Sequence, residues 1–269
     1  MNRKTILGIF IALMILSFAT YVSAAPVGPQ TITPGDEMTW PVWSALTDDA
    51  IAGNITELTF YGSTVTRTYQ GYVGNITGLI VLGDASNNTL YDWSLATPQG
   101  EIYAVRSATV PSWTEVSCAS QAEIQDEDIR LNVDADIDED SVNRTFYVGG
   151  APDQLARFPS GDFTHPQFYT ANQSMAANAC AVATMYNSTG EPSPYFKEVL
   201  LSDNVNNDPV TGFVIYTGII SHSISPGTEA DGFNGRTYDF QMLVGEDGHG
   251  AETGPTATES TYWFYLELE

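Results

Sequence analysis

The sequence predicts an all-β chain, an antiparallel β-sandwich that follows an N-terminal signal segment. Three observations carry this expectation. Short runs of β-branched and aromatic residues recur about every ten residues, the spacing of a sandwich or barrel. Gly, Asn, Asp and Pro separate the runs and mark turns. With 43% hydrophobic and 12% aromatic residues in 269, the chain can bury a sizeable core and is not disordered overall.

In chain order, Arg3 and Lys4 form a positive region ahead of the apolar run Ile6–Val22, and Ser23, Ala24 and Ala25 supply a small-residue cleavage site. This is the layout of a secretory signal peptide over residues 1–25. The apolar run approaches the length of a spanning helix, so an uncleaved anchor is the rival expectation. Pro26 and Gly28 favour cleavage into an extended segment, residues 26–39. No Cys follows the run to carry a lipid, and Thr5 stands where a type IV pilin needs Gly or Ala. The closing stretch Ser260–Glu269 is β-rich and charged, which predicts no membrane span after signal removal.

Predicted strands are Glu57–Tyr61, Val65–Tyr72, Gly78–Leu82, Thr89–Leu95 and Glu101–Arg106. One short helix is expected within Ser120–Leu131, where Ile124, Ile129 and Leu131 stand among acids. Arg144–Val148 reads as strand, and the Pro-, Gly- and Asp-rich stretch 149–172 as a loop or linker. Strands resume at Ala177–Tyr186, Tyr195–Leu201, Gly212–Ile220, Thr237–Val244 and Thr261–Glu267. Residues 40–148 and 173–269 therefore form either two packed β-subdomains or one large sandwich. The echo of Gly53-Asn-Ile-Thr-Glu-Leu in Gly74-Asn-Ile-Thr-Gly-Leu suggests two equivalent strand entries.

The formal net charge is −24, and loss of Arg3 and Lys4 with the signal makes it −26, leaving Lys197 as the one lysine. Such a field repels nucleic acid and anionic lipid, so neither is an expected partner. Cys118 and Cys180 are an even pair in an exported chain, which predicts one disulfide worth a few kcal/mol; two buried thiols are the alternative. Asn-x-Ser/Thr sequons begin at Asn54, Asn75, Asn87, Asn143, Asn172 and Asn187, and these predict surface turns that carry glycans.

Asp134, Asp136, Asp138 and Asp140 alternate along the chain. In an extended strand all four carboxylates share one face, where a hard cation such as calcium would relieve their repulsion. The run departs from an EF-hand, with Glu139 at the sixth position and Thr145 at the twelfth, and a solvated acidic loop is the plainer alternative. Asp247 and His249 in the loop Glu246–Gly250 would need further ligands to hold a metal. His165 and His222 are isolated, and no H-E-x-x-H, G-x-S-x-G, C-x-x-C-H, Walker or G-x-G-x-x-G pattern occurs. No catalytic residue is expected. Trp40, Trp43, Trp93, Trp113 and Trp263 suit a core, subunit contacts or a sugar platform.

The strings Ala52-Gly-Asn-Ile-Thr-Glu, Tyr69-Gln-Gly-Tyr-Val-Gly-Asn-Ile-Thr-Gly, Asn88-Thr-Leu-Tyr-Asp-Trp and Gly100-Glu-Ile-Tyr-Ala-Val-Arg-Ser carry a resemblance. The stretch from Ala52 to about Val148 resembles a module of exported archaeal surface proteins, most of unassigned function. The resemblance implies an envelope or extracellular setting and no catalytic residue. The expectation is an exported glycoprotein, part of a cell surface or extracellular filament, that assembles with copies of itself. Its extended N-terminal segment would add as a donor strand to a neighbour's sheet edge. The alternatives are a secreted monomeric carbohydrate- or calcium-binding module and a secreted hydrolase.

Overall fold

The computed structural model describes residues 25–39, 52–60, 62–95, 97–108, 112–134, 138–148, 163–204, 214–220, 230–247 and 260–268. Strands make up 41% of these residues and helices 9%, in antiparallel sheets, so the chain is all-β as expected. The first strands are β1 (Tyr69–Gly74), β2 (Leu79–Gly83), β3 (Thr89–Ser94), β4 (Gly100–Val105) and β5 (Ser117–Cys118). Helices α1 (Gln121–Arg130) and α2 (Val142–Thr145) precede β6 (Tyr147–Val148), β7 (Phe168–Thr170), β8 (Gln173–Met175), β9 (Ala181–Tyr186) and β10 (Pro192–Ser202). The chain continues with β11 (Val214–Ile220), β12 (Ala230–Asp231), β13 (Thr237–Tyr238), β14 (Phe240–Gly245) and β15 (Trp263–Leu268).

One seven-stranded sheet organises the molecule, in the order β15-β4-β11-β10-β9-β6, with β5 also paired to β10. It draws strands from both stretches that the sequence separates, because β4 lies between β15 and β11. Strands β10 and β11 occupy the centre, and their near-continuous apolar runs suit burial on both faces. Alternate residues feed two cores. Ala104, Phe196, Leu200 and Tyr216 belong to one, with Ile124, Leu131 and Val142 from the helices and Met242 and Val244 from β14. Tyr103, Val105, Val199, Leu201, Ile215 and Ile219 belong to the other, with Phe168 from β7 and Met175 from β8. Among the described residues every further sheet has two strands, so the main sheet is covered by a β1–β14 ribbon, helices and a hairpin.

Helix α1 begins where the sequence places it, because Ser120 and Glu123 form a reciprocal capping box. Four elements depart from expectation. Residues 57–60 are unpaired and exposed, and Tyr61 lies outside the described residues, so no strand is seen there. Alternating apolar residues make a strand only when a partner strand is at hand. The two Gly-Asn-Ile-Thr strings are therefore not equivalent: Gly53 sits in a turn and Gly74 closes β1. Arg144 belongs to α2 instead of a strand, since Asp128 accepts the backbone N–H groups of Val142 and Asn143 (2.6 and 3.0 Å) and starts a helical turn. Within the expected loop 149–172, residues 163–172 carry His165 and β7, which returns as β8 through Ala171 at φ 52°. Both oxygens of the buried Glu267 carboxylate accept the Ala171 N–H, which holds that turn in place.

The disulfide joins Cys118 to Cys180, as the even count predicts. Cys118 pairs with Leu201 of β10, and Cys180 immediately precedes β9, which pairs with β10 through Val182 and Val199. The covalent link thus closes the point where β5 and β9 share one lane beside the central strand.

Candidate functional site

Of the aspartate run, Asp134, Asp138 and Asp140 are described. Asp138 N–H donates to the Asp134 carbonyl (2.8 Å), and the Asp138 carboxylate accepts Asp134 N–H (2.7 Å), which closes a turn. The Asp140 carboxylate accepts the Thr66 hydroxyl and the Arg67 N–H. Asp136 lies outside the described residues, so three of the four expected carboxylates are seen. Among the described residues no group of three or more His, Cys, Asp or Glu side chains is placed to hold a metal ion. Of the Glu246–Gly250 loop, Asp247 is half-buried at the end of its described stretch, while His249 lies outside, as does His222.

His165 is buried beside the disulfide. Its Nε2 accepts the Cys180 N–H at 3.0 Å, so the proton resides on Nδ1, which lies 2.7 Å from the Pro166 carbonyl. Both ring nitrogens are engaged by backbone. Burial lowers the His165 pKa below its ordinary value, in keeping with a neutral ring.

The sequence did not single out the buried ionic centre. Glu127 on α1 has a fully buried side chain that meets the Arg106 guanidinium, accepts the Tyr216 hydroxyl at 2.9 Å and lies 3.5 Å from Arg130. Arg106 Nε also donates to the Tyr262 hydroxyl at 3.0 Å, and burial raises the Tyr262 pKa to about 12. Nearby, burial raises the Asp128 pKa to about 6, against the lowering effect of its two backbone donors. Glu198 sits in the middle of β10, accepts Leu243 N–H at 2.8 Å, and is driven well above the usual carboxylate range by burial. The visible signal is a Lys-Glu pair inside the apolar run Phe196–Leu201. Lys197 is itself buried, so among the described residues no lysine reaches the surface.

The six sequon asparagines all lie at or near the surface: Asn54, Asn75, Asn87 and Asn172 are exposed, and Asn143 and Asn187 are half-buried. The tryptophans divide. Trp113 packs against Tyr103 and Tyr265 (ring centroids 5.0 and 5.4 Å), Trp263 is partly exposed on β15, and Trp40 and Trp43 lie outside the described residues. Trp93 stands on the β2–β3 hairpin, 4.7 Å from Tyr91, and both rings are exposed.

That hairpin is the least satisfied part of the surface. Every residue of β2 and β3 is exposed, including Leu79, Ile80, Val81, Leu82 and Leu90. Its register sets Ile80 opposite Trp93 and Leu82 opposite Tyr91, so these four side chains share one face. Its tip is well formed: the Asp84 carboxylate accepts the Asn88 side-chain amide (2.8 Å) and the N–H groups of Asn88 and Ser86 (2.9 and 2.8 Å), and these bonds lower its pKa. Comparison with protein families, curated proteins and solved structures found no match to this chain.

Proposed function

We propose that this chain is a structural subunit of a cell surface or extracellular filament, exported and glycosylated, that assembles with copies of itself. One observation carries the proposal. Of 19 large hydrophobic residues exposed among the described residues, 14 fall between Val27 and Trp93. Most apolar side chains described beyond residue 100 are enclosed in two cores, to which the described residues before 96 add the partly buried Tyr69 and Tyr72. A concentration of this kind marks an interaction surface.

The N-terminal segment favours strand addition as the mode. Val27 and Leu266 exchange two backbone hydrogen bonds (3.1 and 2.8 Å), so the segment touches the outer edge of β15 and then runs exposed to residue 39. An open sheet edge invites a strand from another chain, and the same segment can dock on a neighbour's β15 in that way. Deletion of residues 26–39 is expected to abolish or shorten assemblies; assemblies unchanged by the deletion would contradict the donor-strand mode.

A second proposal has its own support. The exposed Tyr91–Trp93 pair offers ring faces to a sugar, as a monomeric carbohydrate-binding module would. Saturable binding on a glycan array by a protein that stays monomeric at high concentration would favour it.

A further inference from the structure

We infer that the β2–β3 hairpin is the element by which one copy of the chain docks on a second copy. The inference rests on the self-assembly proposed above and names the surface that performs it. The run Leu79-Ile-Val-Leu82 is patterned like a strand buried on both faces, yet every residue of the ribbon is exposed and among the described residues no third strand pairs with it. Two strands alone are marginal in water, and added strands or a packed face supply what is missing.

The ribbon's low charge and the chain's own exposed apolar segment select a second copy as the occupant. Ile80, Leu82, Tyr91 and Trp93 make one apolar face and Leu79, Val81 and Leu90 the other, each residue at least 45% exposed, and an exposed apolar patch of this kind marks an interaction site. A chain of net charge −24 repels its own copies and anionic bilayers alike. The two strands carry one charged residue, Asp92, so this ribbon is a place where two such copies meet with little like-charge contact. A second copy also brings matching apolar surface, since Ile55, Leu58 and Phe60 are exposed on an extended, unpaired segment. Docking pairs an open hairpin edge with the neighbour strand to strand and covers the Ile80, Leu82, Tyr91 and Trp93 face. The sequon at Asn87 lies in the hairpin's tip, outside the paired residues of that face.

The test is sedimentation velocity of the secreted chain over a range of concentrations, beside the exposed-site variants Leu82→Glu, Trp93→Glu and, as control, Ile129→Glu on α1. The native chain and Ile129→Glu are expected to associate alike. Leu82→Glu and Trp93→Glu are expected to weaken association by about tenfold or more with thermal midpoints unchanged. Association as strong as native in both hairpin variants would overturn the docking assignment while self-assembly stood. A native chain that is monomeric at every concentration would overturn self-assembly itself. Monomers that bind neutral phosphatidylcholine vesicles, and lose that binding in Trp93→Glu, would assign the face to lipid and overturn the inference.

Discussion

At the scale of single residues, the interior of this acidic protein holds ionisable groups whose shifts oppose one another. Asp128 keeps its proton to about pH 6, and Glu198 is likewise shifted upward from 4.5, both by burial. Between the unfolded and folded pKa values the native state binds more protons, so each group's stabilising contribution is full in acid and fades as pH rises through the folded value. His165 has the opposite sign. Its lowered pKa means the unfolded state takes up a proton first, so stability falls as pH drops below 6.5. Two of these three groups stabilise the native state toward acid. The thermal midpoint is expected to be higher at pH 5 than at pH 8, and Glu198→Gln to reduce that difference; an unchanged pH profile in Glu198→Gln would contradict this account. Arg106 and Glu127 give a second residue-scale prediction. Removing Arg106 leaves the buried Glu127 carboxylate with only the more distant Arg130 and the Tyr216 hydroxyl, so Arg106→Met is expected to lose about 3 kcal/mol in chemical denaturation. Arg106→Met with Glu127→Met should recover much of that loss, and equal destabilisation in single and double variants would argue against the pairing.

At the scale of elements, what was legible in the sequence depended on how local the cause is. Helix α1 follows from Ser120 and Glu123, three residues apart. Strands β2, β3, β4 and β15 follow from short apolar runs between turn residues and fall within about two residues of expectation. Helix α2 was not legible because its cap, Asp128, comes from another helix 14 residues earlier. The β7–β8 hairpin was hidden for a similar reason: its turn uses Ala171, not Gly, and is held by Glu267 from the far end of the chain. Parity made the disulfide legible, whereas the aspartate run concealed its turn, since the side chain of Asp138 bonds back to Asp134. Exposure of β2 could not be read at all, because four consecutive apolar residues describe a buried strand. The disulfide spans a sequence separation of 62, and the chain-entropy model gives about 4 kcal/mol for such a loop. Cys118→Ser with Cys180→Ser is accordingly expected to lower unfolding stability by about 3–4 kcal/mol, measured in denaturant; a loss below about 1 kcal/mol would show that β5 and β9 hold their lane without the bond.

At the scale of the whole molecule, a seven-stranded sheet with two filled cores stands beside an N-terminal region, residues 27–93, where most of the exposed apolar surface of the described residues lies. Charge limits what can cover it: an acidic surface disfavours anionic partners and places the burden of association on stretches of low charge. The N-terminal segment that touches β15, with Asp36 and Glu37, and the β2–β3 strands, with Asp92, are such stretches, and the proposed donor-strand and hairpin contacts would together suit a head-to-tail array, which closes into rings or extends into filaments. Electron microscopy of the purified native protein, with and without EDTA, tests this most directly. Regular filaments or sheets are the expected result, and their loss in EDTA would bring a bound cation at the aspartates from Asp134 to Asp140 into the assembly. Monodisperse single particles in both conditions would contradict the account.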